Sequence, residues 1–199
     1  ISIFISSKFL NITFNLEELL ATFILTFVFF VIGVIDDIIT INPFSKLFIQ
    51  IVICGLISSC FFTIKSLYIE FLPSNINRIY LSQSLSILFS TIWISGIVNA
   101  INWIDGLDGL AVGIISLSAL SIGIFNLINQ NYLLSILSLC TFGASLGFLK
   151  FNKFPSKIMM GDSGSYFFGS IIAILCLFSF NNYPQESNFN IIPPLLILF

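Results

Sequence analysis

Six apolar runs, at residues 19–35, 47–64, 85–101, 107–128, 133–149 and 163–180, leave this chain few ways to fold. Each meets or approaches the roughly 17–25 residues that a helix needs to cross the hydrocarbon core of a bilayer. A spanning backbone must satisfy its own N–H and C=O groups, which restricts it to helices or a closed barrel. These runs are too long for barrel strands and lack their ten-residue alternation, so helices are expected. A mean hydropathy of +1.09 agrees and excludes an ordinary soluble domain. The predicted fold is all-α, a polytopic transmembrane helical bundle of about six complete spans. A seventh run, 191–199, stops with the chain after nine residues, enough for only ~14 Å of a ~30 Å core. The chain also starts at Ile1 without an initiator Met. A fragment lacking parts at both ends is therefore expected. With no internal repeat or linker, residues 1–199 read as a single membrane-embedded domain.

Carboxylates are expensive in such surroundings. The chain is only 8% charged, yet five of its nine acidic residues fall in three motifs at the ends of apolar runs. These are Asp36-Asp37, Asp105-Gly-Leu-Asp108-Gly and Gly161-Asp162-Ser-Gly164. Counting crossings puts all three on one side of the bilayer, which is the layout of an active site. That side holds Lys46, Lys150, Lys153 and Lys157, against Lys8, Lys65 and Arg78 opposite. The positive-inside rule then favours a cytoplasmic motif face. Residues 65–82 read as a polar excursion on the other side.

Other chemistries are excluded. There is no histidine, so no imidazole base or zinc site can be built from this chain. The four cysteines lie inside apolar runs without C-x-x-C spacing and read as buried thiols. A net charge of -2 with no basic stripe argues against a nucleic-acid partner. Residues 1–10 lack the charged start and small-residue exit of a signal peptide.

The adjacent carboxylates of Asp36 and Asp37 at a low-dielectric boundary must raise a pKa or bind a cation. Oxygen ligands of this kind suit Mg²⁺, which keeps several waters and shares ligands with substrate phosphates. The plain alternative is a helix end solvated at the interface. A prenyl-diphosphate D-D-x-x-D motif is a competitor, but position 40 is Thr. Asn99, Asn102, Asp105 and Asp108 step by three, which predicts overlapping faces of one helix end. Two amides and two acids there suit a sugar, a base or a coordinated metal, or else form an ordinary polar cap. Gly106 and Gly109 let the chain turn or a ligand approach. The stretch 161–165 predicts a helix N-terminus with free N–H groups, which favours phosphate, with Asp162 as cap or metal ligand. Lys153 and Lys157 either add charge for a diphosphate or anchor in lipid headgroups. Together these signals describe Mg²⁺-assisted chemistry on a phosphate compound at a membrane surface.

Three stretches carry a family resemblance. They are Gly33-Val-Ile-Asp36-Asp37 with Lys46 and Gln50 downstream, Asn99-Ala-Ile-Asn102-Trp-Ile-Asp105-Gly-Leu-Asp108-Gly-Leu-Ala111, and Asn152-Lys-Phe-Pro155-Ser-Lys157-Ile-Met-Met-Gly161-Asp162-Ser-Gly164-Ser165. In this order they resemble the polyprenyl-phosphate N-acetylhexosamine-1-phosphate transferase family. The resemblance implies a multi-pass bacterial inner-membrane enzyme with a cytoplasmic active face. Such an enzyme uses Mg²⁺ to move a sugar-1-phosphate from a UDP-N-acetyl-sugar to undecaprenyl phosphate, releasing UMP. It implies Asp36, Asp37, Asp105 and Asp108 as catalytic acids, with Asp162 and Asp36 as metal ligands. Asn99, Asn102, Asn152, Lys46 and Lys157 would contact substrates. The short Asp37-to-Lys46 spacing is more similar to the N-acetylglucosaminyl branch than to the muramoyl-pentapeptide branch. The family's later acidic-Arg segment and His-rich loop would lie beyond Phe199, and its first helices before Ile1. The segment alone is therefore expected to insert into membranes without catalysing transfer.

Three rivals remain at this level, the blandest being a non-catalytic membrane scaffold. A cation-coupled transporter also needs intramembrane acids, but near mid-span rather than at span ends. A CDP-alcohol phosphotransferase has paired Asp-Gly steps, but its pattern wants an Ala-Arg where Leu110-Ala111-Val112 follows here.

Overall fold

The computed structural model describes residues 16–60, 63, 66–68 and 78–181. Among the described residues six helices carry the fold: α1 (Leu16–Ile39), α2 (Pro43–Cys60), α3 (Gln83–Ile104), α4 (Leu110–Ile128), α5 (Tyr132–Asn152) and α6 (Gly161–Asn181). All six are long and apolar enough to cross a membrane. The expected helical bundle is thus what forms. The seventh run, 191–199, lies outside the described residues. Within the 65–82 excursion, β1 (Ser66–Tyr68) and β2 (Arg78–Tyr80) pair antiparallel, with Leu67 opposite Ile79.

Helix ends differ from the apolar runs for local reasons. Asp36-Asp37 does not terminate α1, which continues to Ile39 and closes with the Thr40 N–H on the Asp36 carbonyl. The Asn42 side chain accepts from the Phe44 N–H at 3.0 Å, and Pro43 takes the first helical position, where its missing N–H costs nothing. Lys46 therefore sits within the first turn of α2. The helix α3 stops at Ile104 with Asp105 as its cap, and Gly106–Gly109 form a turn. The four residues that step by three therefore do not share one helix.

α6 is the central element and packs against α1, α3, α4 and α5, while α2 rests mainly on α3. Its apolar stretch from Ile172 to Leu177 is buried, whereas Phe23, Phe27, Phe44 and Phe48 on α1 and α2 face outward, as lipid-facing side chains do. Small hydroxyl residues fill the helix contacts, letting backbones approach. Ser90, Ser138 and Ser145 are buried, and each bonds a carbonyl one turn back in its own helix. Interhelical bonds tie specific positions together. Asn126 of α4 donates to Ser179 of α6 at 2.7 Å, and Trp93 of α3 donates to the Ala173 carbonyl at 3.2 Å.

Candidate functional site

The acidic motifs meet where α6 begins. Gly161 adopts φ +69°, a conformation costly for residues with a Cβ, and this turns the chain into the helix. The Asp37 side chain, reaching over from α1, accepts from the Asp162 N–H at 2.8 Å and the Ser163 N–H at 3.0 Å. The Gly161 backbone lies close enough to Asp105 to oppose part of the rise in its carboxyl pKa. A helix N-terminus of this kind favours negative charge through its unpaired donors and its dipole. The expected N-terminus is present, but the Asp37 carboxylate occupies two of its donors, which corrects the expectation of N–H groups free for phosphate there. Asp37→Ala should strip two of those donors and destabilise the protein by about 1–2 kcal/mol. Thermal unfolding in detergent measures this.

Lys46 joins the other two carboxylates. Its ammonium donates to Oδ2 of Asp36 and, at 2.7 Å, to Oδ2 of Asp162, and stands 5.0 Å from the ring centroid of Tyr166. Asp36 is buried, and its other oxygen accepts from the Ile41 N–H at 2.7 Å. The second oxygen of Asp162 accepts from Asn102 at 2.6 Å, and Asn102 also donates to Ser165 at 3.0 Å. Asp36, Asp37, Lys46, Asn102 and Asp162 thus form one bonded network across α1, α2, α3 and α6.

Asp105 stands at the edge of that network. Burial, then the negative charges of Asp162 and Asp37, push its carboxyl up to about 6. The folded protein therefore binds more protons than the unfolded chain between about pH 4 and pH 6. Stability from this group is lost as pH rises through that window. Asp105→Asn should remove this loss, so its melting temperature should exceed that of the wild type above pH 6. The gap should close below pH 4.

The remaining sequence candidates lie apart. Asn99 donates to Gln50 at 2.6 Å and to the Ser95 carbonyl at 2.8 Å, joining α2 to α3 rather than to the acids. Asp108 is exposed and accepts from the Ser156 N–H at 3.0 Å. Asn152 is buried, accepting from Gly109 N–H at 3.1 Å and donating to the Ile158 carbonyl at 2.9 Å, so it clamps two loops together. Lys153 and Lys157 are exposed, and among the described residues neither forms an ion pair. Gln50 and Tyr166 were given no role from sequence. Both are fully buried beside the network, and among the described residues one polar atom of each, Nε2 and the hydroxyl respectively, has no hydrogen-bond partner. Their spacing was the available signal, since each lies four residues, one helical turn, after Lys46 or Asp162.

Among the described residues no three acidic, His or Cys side chains could cage a metal. Mg²⁺ does not need such a cage, since it uses one or two carboxylates plus water and substrate phosphates. Asp162 and Asp105 fit that requirement. Burial first, and then repulsion from Asp162, raise the Asp105 pKa, and a cation would relieve the repulsion. Asp162 already binds a cation, the Lys46 ammonium.

Residues 19–180 match the family model described as glycosyl transferase family 4. The chain is 35% identical over 172 residues to a probable undecaprenyl-phosphate N-acetylglucosaminyl 1-phosphate transferase of Bacillus subtilis, covering 86% of this chain and 46% of the relative. It is 33% identical over 93 residues to a phospho-N-acetylmuramoyl-pentapeptide-transferase of Clostridium beijerinckii, covering 47% and 28%. It is 31% identical over 161 residues to one of Streptococcus thermophilus, covering 74% and 45%. The chain thus spans about half or less of the length of these relatives.

Proposed function

The chain belongs to glycosyl transferase family 4, and from that premise we propose that its acidic centre transfers an N-acetylhexosamine 1-phosphate from a UDP-sugar to polyprenyl phosphate. The network at the start of α6 is the observation that carries the reading, because it gathers residues of all three resembling stretches at one end of the spans. We place that end at the cytoplasmic face of a bacterial inner membrane, where a water-soluble nucleotide sugar and a lipid phosphate can meet.

In the reaction, an oxygen of the lipid phosphate attacks the β-phosphorus of the UDP-sugar. The bond from that phosphorus to the bridging oxygen breaks, and UMP leaves. Both partners are anions, so the site must offset repulsion before it can align them. Asp162 and Asp105 would hold Mg²⁺, which when bound neutralises diphosphate oxygens and stabilises the charge of the departing UMP. Lys46, which pairs with Asp36 as well as Asp162, supplies a second positive charge at the site. Asn102 fixes the Asp162 carboxylate, and Asp37 fixes the backbone that carries it. Neither Asp36 nor Asp37 need act as a base, because a phosphate monoester with a second pKa near ~6 is largely ionised at neutral pH. Both carboxylates are also engaged on each oxygen.

Transfer decides the reading. A full-length protein carrying this segment should convert UDP-N-acetylglucosamine, labelled in sugar and β-phosphate, and undecaprenyl phosphate into a lipid-soluble labelled product plus UMP. UDP-N-acetylmuramoyl-pentapeptide offered in parallel tests the sugar. Failure with both donors in the presence of Mg²⁺ would sink the proposal.

A further inference from the structure

Among the described residues, Lys46 is the one cation paired with the acids, and it spans two unlike carboxylates. The Asp36 side chain is 5% exposed and is held from behind by the Ile41 N–H. The Asp162 side chain is 29% exposed. The Tyr166 ring below the ammonium stabilises a cation whichever carboxylate it touches. An ammonium on a flexible four-carbon stem has three rotatable donors. It can release Asp162 while keeping Asp36 and the aromatic face. A divalent ion at Asp162 competes for the same oxygen, Oδ2, that Lys46 holds at 2.7 Å. Two cations a few ångströms apart repel too strongly to share it.

The geometry points to Lys46 as an exchangeable counter-cation: it occupies Asp162 while no divalent ion is bound, and shifts to Asp36 and Tyr166 when one arrives. This rests on the reading of Asp162 as the metal-binding carboxylate and deepens it. Exchange explains why a buried acid, Asp36, accompanies the more accessible one. Asp36 is the anchor that keeps the displaced ammonium nearby, with donors released for a phosphate oxygen, and it is not itself a metal ligand. It also lets the acids pack together before any ion binds, since the ammonium offsets part of their repulsion.

Mn²⁺ binding, followed by electron paramagnetic resonance on the protein purified in detergent without substrates, tests the exchange. Lys46→Met should tighten Mn²⁺ binding by about tenfold, within the range typical of coupled sites. That variant leaves Asp36 buried without its partner. The double variant Asp36→Asn/Lys46→Met therefore decides, because it removes one charge of each sign and leaves the net charge of the site unchanged. It too should bind Mn²⁺ more tightly than wild type, by a comparable factor. Affinity equal to or weaker than wild type in the double variant would mean that Lys46 does not compete, and the exchange falls. Asp162→Asn separates the two readings. If it abolishes Mn²⁺ binding while the double variant shows no gain, only the exchange is wrong. If it leaves Mn²⁺ binding intact, Asp162 is not the ligand and both readings fall.

Discussion

Asp162→Asn should lower sugar-phosphate transfer by about 10²–10³-fold, the scale for deleting one electrostatic element of a preorganised site, while the six-helix bundle stays folded. The substitution keeps the volume and shape of the side chain. It removes the negative charge that faces Lys46 at 2.7 Å, and with it the carboxylate proposed to hold Mg²⁺. One carboxylate oxygen now accepts from Asn102 and the other from Lys46, whereas an amide offers a single acceptor oxygen. Its NH₂ group must then point at a donor, so the hydrogen-bond network is broken at one link as well as losing charge. Asp37 still holds the start of α6 through backbone N–H groups that the substitution does not touch. A melting temperature within a few degrees of wild type, together with lost transfer at saturating Mg²⁺, is the expected pair of results. Near-normal turnover at limiting Mg²⁺ would remove Asp162 from the metal site.

The six spans were legible because a lipid-facing backbone leaves little choice of structure, and hydropathy alone marks such segments. The gathering of the motifs at one membrane end followed from counting crossings. The partners of the acids were not legible. Asp37 caps a helix that starts more than a hundred residues later, and no local pattern signals that bond. The same long-range bonds explain why Asp36 and Asp37 lie inside a helix rather than ending one. Their charges are met by Lys46 and by the α6 N–H groups. Step-of-three spacing misled at Asp105 and Asp108, since the helix supporting that pattern stops at Ile104. Beyond it the turn sends Asp108 to the Ser156 N–H. Asn152 was singled out from the resemblance as a substrate contact, and its observed bonds all go to backbone groups of neighbouring loops.

Gly33→Ala should disable the site although Gly33 carries no functional group. A Cβ there would come within 2.5 Å of the Asp162 carbonyl oxygen and of Ser163 Cα, and 2.6 Å from Ser163 N. All three are backbone atoms of α6, so no side chain can rotate away, and the two helices must separate at that point. Overpacking of this kind costs about 1–3 kcal/mol. The larger effect is on function. Gly33 lies three and four residues before Asp36 and Asp37, on the same face of α1, so a displacement there moves both carboxylates relative to Asp162. Misplacing reacting groups by about 1 Å can cost roughly 10²-fold in rate, and a loss of that order is expected. Gly96→Ala on α3 is the matched control. Its Cβ would meet nothing within 4 Å, and Ala is the better helix former by about 1 kcal/mol, so that variant should keep full activity and melt no lower than wild type. Equal activity in the two variants would show that close contact between α1 and α6 is not what positions the acids.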